Sequence, residues 1–305
     1  MAIIKKDDVT PERPIIIVLY GVPGSGKTSV ATTAGNPLLI DTDRGYDRAV
    51  QRCEATLVAN NWHDIDNERE TMKGYKTIIV DTAKSMIDDY LSQYAIEKNY
   101  KLKSNTRKRF GQMGDDFKEF VNYLRSNGSD IIFICHDKET QDGDVIKHAP
   151  DCTGQSKDLL VRIADQVGYI YIDNGKRTIT FNTLDNYVSK NVGGIPTTVI
   201  PDYGTKEFET FMADIIKRVK ASLVSRSEAQ VKAQQLIRDC RTALSEVKTD
   251  EDIKKVLALA KDLPKFFKLP FMGEMKAALD YDEAKKEFHV RKQDNAKAAD
   301  KGNDA

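Results

Sequence analysis

The run Gly21-Val22-Pro23-Gly24-Ser25-Gly26-Lys27-Thr28, followed by Ser29, fits the spacing GxxxxGK[ST] in full. Glycines at these places let successive backbone N–H groups turn toward one anion without Cβ collisions. Lys27 is spaced to reach the β- and γ-phosphates of a nucleotide, and the Thr28 hydroxyl to hold Mg²⁺. A helix starting here adds its partial positive charge. A chance glycine turn would give the same letters. This run, however, stands between an apolar strand-like segment and a helix-compatible one, the context the chemistry requires. Residues 21–29 are therefore the expected nucleotide site, with ATP and Mg²⁺ as its ligands.

Two further acids carry the chemistry. "YKTIIVDT" is an apolar strand ending in Asp81. An aspartate there holds the Mg²⁺ shell; on its own it would as readily cap the next helix, and the phosphate loop upstream tips the reading to metal. Many P-loop motor ATPases place a water-polarising glutamate next, where this chain has Thr82. If water is to be activated, the base must come from elsewhere, and "LLIDTDRG" (38–45) offers Asp43 at the end of another strand. In a doubly wound sheet such a strand emerges beside the phosphate site. The other reading makes Asp41 and Asp43 loop acids paired with Arg44 or Arg48.

These residues need elements to hold them. "IIIVLY" (15–20), "PLLID" (37–41), "KTIIVD" (76–81), "DIIFICH" (130–136), "VGYIYID" (167–173) and "RTITFNT" (177–183) read as strands. The first four are nearly continuous apolar runs, as parallel strands covered on both faces require. The last two are joined through Asn174-Gly175 as a hairpin. Helices are expected after Asp81, with Met86, Ile87, Tyr90, Leu91 and Tyr94 inward, and over 116–128, closed by Gly128. From about 205 strand signals stop: a stripe from Val231 to Val247 marks one helix, Thr249 caps the next, and a further helix is expected over 271–289, with Pro264 and Pro270 as punctuation. The organisation expected is an α/β P-loop core with a mostly parallel sheet over 1–220, a small α-helical domain over 221–290 and a disordered tail over 291–305.

With 305 residues, 40% of them apolar, a sizeable core is affordable, and a formal net charge of zero excludes a general polyanion binder. Cys53, Cys135, Cys152 and Cys240 form no CxxC pair, so reduced thiols and no zinc ribbon are expected. No segment looks like a signal peptide or a membrane span, which predicts a cytoplasmic protein.

With these motifs in place, the chain resembles the RecA/RadA recombinase core. There a strand ends in Asp-Thr-Glu-Gly or Asp-Ala-Glu and the glutamate activates water; "IDTDRG" puts Asp43 at that place, with a side chain one methylene shorter. RecA-like proteins end the next core strand in Asn-Gln, where the glutamine senses the γ-phosphate, and this chain has Cys135-His136. His136 is thus a sensor by resemblance, or a residue that merely ends a strand. "VSKNVGGIP" matches the Lys-Asn-Lys and proline of RecA in Lys190, Asn191 and Pro196, with Val192 for the second lysine. The resemblance makes Lys190 a cation reaching a neighbour's γ-phosphate, which implies a ring or filament; the plain alternative is a surface lysine. Overall the pattern over about 13–200 resembles the phage proteins described as RecA-like, core-only single-strand annealing ATPases, also labelled phage nucleotide-binding proteins. That implies host cytoplasm, self-association and DNA recombination by annealing.

Single-stranded DNA is the implied partner. "KNYKLKSNTRKRF" (98–110) carries Lys101, Lys103, Arg107, Lys108 and Arg109 with Tyr100 and Phe110 interleaved and no acid. Cations beside stacking rings suit a single strand; a solvated basic loop has the same composition. A second stretch, 136–164, holds Lys138, Lys147, His148 and Lys157 among several acids. Two other functions fit the motifs: a helicase or helicase loader, and a nucleotide-dependent interaction protein with little turnover whose helical C-terminus docks a protein partner.

Overall fold

The computed structural model describes residues 5, 8–46 and 55–291. Arg48, Cys53 and residues 292–305 of the expected tail lie outside the described residues. Two compact units result, Pro11–Leu223 and a second formed by Val224 onward with the chain start up to Thr10.

In the first unit β1 (Ile16–Gly21) leads through the glycine loop into α1 (Lys27–Ala31) and β2 (Pro37–Asp41). There follow β3 (Ala55–Val58), α2 (Trp62–Asn67), α3 (Arg69–Met72) and β4 (Thr77–Asp81). A π-helical segment, Ser85–Leu91, runs into α4 (Ser92–Lys98), and a 3₁₀ turn, Tyr100–Lys103, precedes α5 (Thr106–Ser126). Then come β5 (Asp130–Asp142), β6 (Val145–Pro150), α6 (Gly154–Ile163), β7 (Gln166–Asp173), β8 (Lys176–Thr180), β9 (Lys190–Asn191), β10 (Thr198–Val199), α7 (Lys206–Glu209) and the start of α8 (Phe211–Ser245).

The strands form one sheet in the order β10-β8-β7-β1-β5-β4-β2-β3, with β6 added to β5 and β9 to β7. From β7 through β3 the neighbours are parallel, while β8, β10, β6 and β9 pair antiparallel. Both faces of β1 are buried: Ile16, Val18 and Tyr20 join a core with Phe117, Phe120, Val121 and Leu124 of α5, whereas Ile15, Ile17 and Leu19 join Met212, Ile215, Ile216 and Val219 of α8. That double burial is why the strand reads as an unbroken apolar run. Its entry is clamped by two carboxylates: Ile15 N donates to Asp130 and Ile16 N to Asp165, which also receives both arms of the Arg13 guanidinium.

Register puts the carboxyl ends of four strands together. Gly21 pairs with His136, Asp81 with Ile134, and Asp41 with Asp81. The phosphate loop, both candidate acids and the candidate sensor therefore share one edge of the sheet, as the crevice rule for open α/β sheets demands.

The second unit holds the rest of α8, α9 (Asp250–Ala260), α10 (Lys265–Ala278), and a hairpin of β11 (Asp280–Asp282) and β12 (Glu287–His289). The Thr249 cap is a full capping box with Asp252. The expected helix over 271–289 is corrected: it starts earlier, tolerates Pro270 inside α10, and stops at Ala278. Beyond that, Tyr281 and Phe288 pair across strands with ring centroids 4.6 Å apart, and Asp282 accepts from the amides of Ala284 and Lys285 to make the turn. None of the described helices is long and apolar enough to cross a membrane.

Candidate functional site

The loop between β1 and α1 is shaped by its glycines. Gly24 and Gly26 sit at φ 79° and 86°, where a side chain is strained. Gly21 has no room for one, because a Cβ there would lie 2.2 Å from the carbonyl oxygen of Ile170 on β7. Lys27 is buried and its ammonium donates to the carbonyls of Gly21 and Val22, each at 2.9 Å. Ser25 Oγ is buried with no hydrogen-bond partner.

Opposite the loop, Thr28 Oγ1 donates to Asp81 Oδ2 at 2.5 Å. Burial pushes the Asp81 carboxyl above the usual range, opposed by the Thr28 hydrogen bond and by Lys27. Burial likewise pulls the Lys27 ammonium down, and Asp81 opposes it. The Thr28 hydroxyl, the Asp81 carboxyl and Lys27 line one cleft, and burial disfavours the charged forms of both Asp81 and Lys27. That donor set fits a phosphate chain and an oxygen-liganded Mg²⁺.

The two acids of "IDTDRG" do different work. Asp41 is 2% exposed, and its carboxylate accepts from the amides of Asp43, Gly45 and Tyr46 at 3.0–3.1 Å. It folds the loop, and Arg44 hydrogen-bonds the Asn60 side chain. Asp43 is aimed back at the cleft, where His136 Nε2 stands 3.9 Å from its Oδ2. Thr82, at the place of the motor glutamate, is buried and braced to Thr42: its amide donates to Thr42 Oγ1 at 2.8 Å, and that hydroxyl donates back to the Thr82 carbonyl at 3.0 Å. The bracket ties the Asp81 strand end to the loop carrying Asp43.

A cleft of about 320 Å³ joins these parts, lined by Pro23, Gly24, Gly26, Lys27, Thr28, Ser29, Asp41, Asp43, Gly45, Asp81, His136 and Tyr203. Tyr203 is the residue the sequence did not announce. Its hydroxyl stands 2.6 Å from where a Gly26 Cβ would be, and its ring is covered by the Arg177 guanidinium at 3.7 Å. No spacing in "PDYGT" points to it; only the fold brings it to the loop.

Lys190 is not brought to this cleft. It pairs with Val167 near the opposite end of β7, and its ammonium donates to the carbonyls of Arg162 and Ala164 at 3.3 and 2.5 Å, closing the end of α6. Lys101, Lys103, Arg107 and Lys108 are exposed around the start of α5, and Arg109 donates to the Lys103 carbonyl. Of the two rings interleaved with them, Tyr100 is 72% exposed, whereas Phe110 packs against the core and is lost to stacking. His148 turns inward to Asp137 at 2.6 Å and does not join a basic surface.

A glycine loop on a strand-to-helix turn, with a threonine–aspartate pair at the carboxyl edge of a mostly parallel sheet, defines a P-loop nucleotide-binding ATPase core. A family model described as an AAA domain matches residues 13–192, more than half of the chain, and the protein belongs to that family. No curated protein matches it significantly.

Proposed function

We propose that the protein hydrolyses ATP with Mg²⁺ and acts on single-stranded DNA as an oligomer, promoting annealing. The observation that carries the hydrolytic part is the facing of Asp43 and His136, 3.9 Å apart, across a cleft from the Thr28–Asp81 pair. In this reading the loop amides of residues 22–28 and Lys27 bind the phosphates, and Thr28 and Asp81 hold Mg²⁺, which supplies neutralisation of the developing charge. Asp43 accepts the proton of the attacking water, and His136 bonds the terminal phosphate and reports its presence along β5. The Tyr203 ring, backed by Arg177, borders the nucleotide. Thr82 has no carboxylate and its hydroxyl donates to Ser85 Oγ, so in this reading Asp43 is the base. The lack of a glutamate at 82 argues against a motor-type helicase.

The DNA part rests on the start of α5. Arg107, Lys108 and Arg109 occupy its first turn, which contains no acid. Cations there oppose the helix dipole, a cost that backbone phosphates would offset, and exposed Tyr100 lies beside them for a base to stack on. A reading with little turnover is favoured by one fact: the Asp43 side chain is short and 49% exposed.

The test is ATP turnover against increasing single-stranded DNA, for the wild type and Asp43→Asn. Turnover stimulated by DNA and reduced about 10²-fold or more in the variant is expected, the scale of a general base. Turnover indifferent to both sinks the proposal, and tight ATP binding without turnover selects the interaction-protein reading.

A further inference from the structure

Strand β5 does not stop at His136. It runs on to Asp142 and folds back as β6, and in this hairpin Glu139 is directly opposite His148. Asp137, two residues before Glu139, lies on the same face of the strand. Ligand-capable atoms of Asp137, Glu139 and His148 all lie within 4.8 Å of one another.

Asp137 is the unusual member. Its side chain is only 2% exposed. Its Oδ2 is fully engaged, with His148 Nδ1 at 2.6 Å and the Tyr169 hydroxyl donating at 3.3 Å. Its Oδ1 is buried with no hydrogen-bond partner. A carboxylate oxygen left so is costly, and native structures seldom keep one without a ligand to use it. The surroundings also resemble the support of a ligand set. The Tyr169 ring stacks on the His148 imidazole at 5.1 Å, and its hydroxyl orients the Asp137 carboxylate, as outer groups do around metal ligands.

We propose that Asp137, Glu139 and His148 form a binding site for a divalent transition metal of the Zn²⁺ type at the root of the β5–β6 hairpin, separate from the phosphate cleft. One imidazole and two carboxylates make a nitrogen–oxygen set suited to Zn²⁺ or Mn²⁺, with too few oxygens for Ca²⁺. On binding, the metal takes the lone pair of His148 Nδ1 while the neutral ring keeps its proton on Nε2, any further proton passing to solvent. It also bonds the Glu139 carboxylate and Asp137, whose orphaned Oδ1 thereby gains a partner. Glu139 is exposed, so it moves to the metal at little cost and closes the site from outside. The site does not depend on the annealing or ATPase reading.

The full chain, stripped by a chelator and kept in excess Mg²⁺, is titrated with Zn²⁺ against a zinc-responsive dye, and Co²⁺ spectra are recorded in parallel. A single ion per chain is expected, with a cobalt spectrum free of a thiolate charge-transfer band. Glu139→Gln, at an exposed position, and His148→Gln should each weaken Zn²⁺ by roughly 10- to 100-fold, a loss that even outer partners of a metal produce. Cys152→Ser, which removes the sulfur 3.9 Å from Cys135 Sγ, should change nothing. Absence of zinc binding by the wild type, equal affinity in the Glu139 and His148 variants, or a thiolate band in the cobalt spectrum would each overturn the site.

Discussion

Replacing Asp81 by Asn separates what the site costs from what it does. The wild-type carboxyl is pushed up chiefly by burial, so ionising it in the folded state is unfavourable. A raised folded-state value means that its contribution to stability is complete below the unfolded carboxyl value, about pH 4, and is lost as pH rises through the folded one. Near neutrality the ionised form therefore burdens the fold. Asn removes the charge and keeps an oxygen for the Thr28 hydroxyl, now in a neutral hydrogen bond about half as strong as the charge-assisted one. It also removes the attraction to Lys27, which is the smaller effect on Asp81. The balance of relief from desolvation against a weakened hydrogen bond is a gain on the order of 1 kcal/mol at neutral pH. For a unit the size of Pro11–Leu223 this is a rise of about 2–4 °C in Tm. Urea unfolding without nucleotide at about pH 4 and at neutrality should show the variant's advantage only at the higher pH. Mg²⁺ and ATP should raise the Tm of the wild type and leave the variant nearly unmoved. If Asp81→Asn instead destabilises the nucleotide-free protein at neutral pH, the Lys27–Asp81 attraction outweighs burial, and the account of a site whose burial disfavours these charges fails.

Three other substitutions test parts of the same fold. Lys190→Met removes the cation from the end of α6, and unfolding should show a loss of about 1–2 kcal/mol with nucleotide affinity unchanged. If stability holds while DNA-dependent turnover vanishes, the lysine serves a neighbouring chain and not its own helix. Asp165→Ala leaves Arg13 and the buried Ile16 amide without their acceptor, and a cost of about 2–3 kcal/mol is expected in urea. Thr249→Ala breaks the capping box of α9 and should lower the stability of the C-terminal unit by about 1 kcal/mol, read from the melting of its helical signal.

The parts legible in the sequence were those governed by local chemistry. The glycine loop, the strands 37–41 and 76–81 and the Asn174-Gly175 turn are each specified by their own letters, because backbone conformation and burial act over a few residues. The misses arose where partners far apart in sequence decide. β6 escaped because "VIKHAP" gains strand character only by pairing with the end of β5. The helix expected to 289 failed because a cross-strand aromatic pair and an aspartate turn outcompeted a helical pattern. Tyr203 entered the cleft from a turn with no motif at all.

The clearest case is the pair of acids in one tetrapeptide. Asp41 and Asp43 have the same side chain and sit two residues apart at a strand end; the resemblance pointed to Asp43 for chemistry, but nothing local in the letters gave Asp41 its structural part. The division comes from the strand's last register position. Asp41 still pairs with Asp81 in the sheet, so its carboxylate is buried and meets the amides of the chain turning past it. Asp43 is beyond the last sheet pairing, on the loop those amides shape, and so is left facing the cleft and His136. The buried acid meets backbone donors, whereas the second lines the cleft beside His136. Exchanging either one for Asn should therefore fail differently, Asp41→Asn by loosening the loop and lowering stability, Asp43→Asn by slowing turnover with the fold intact.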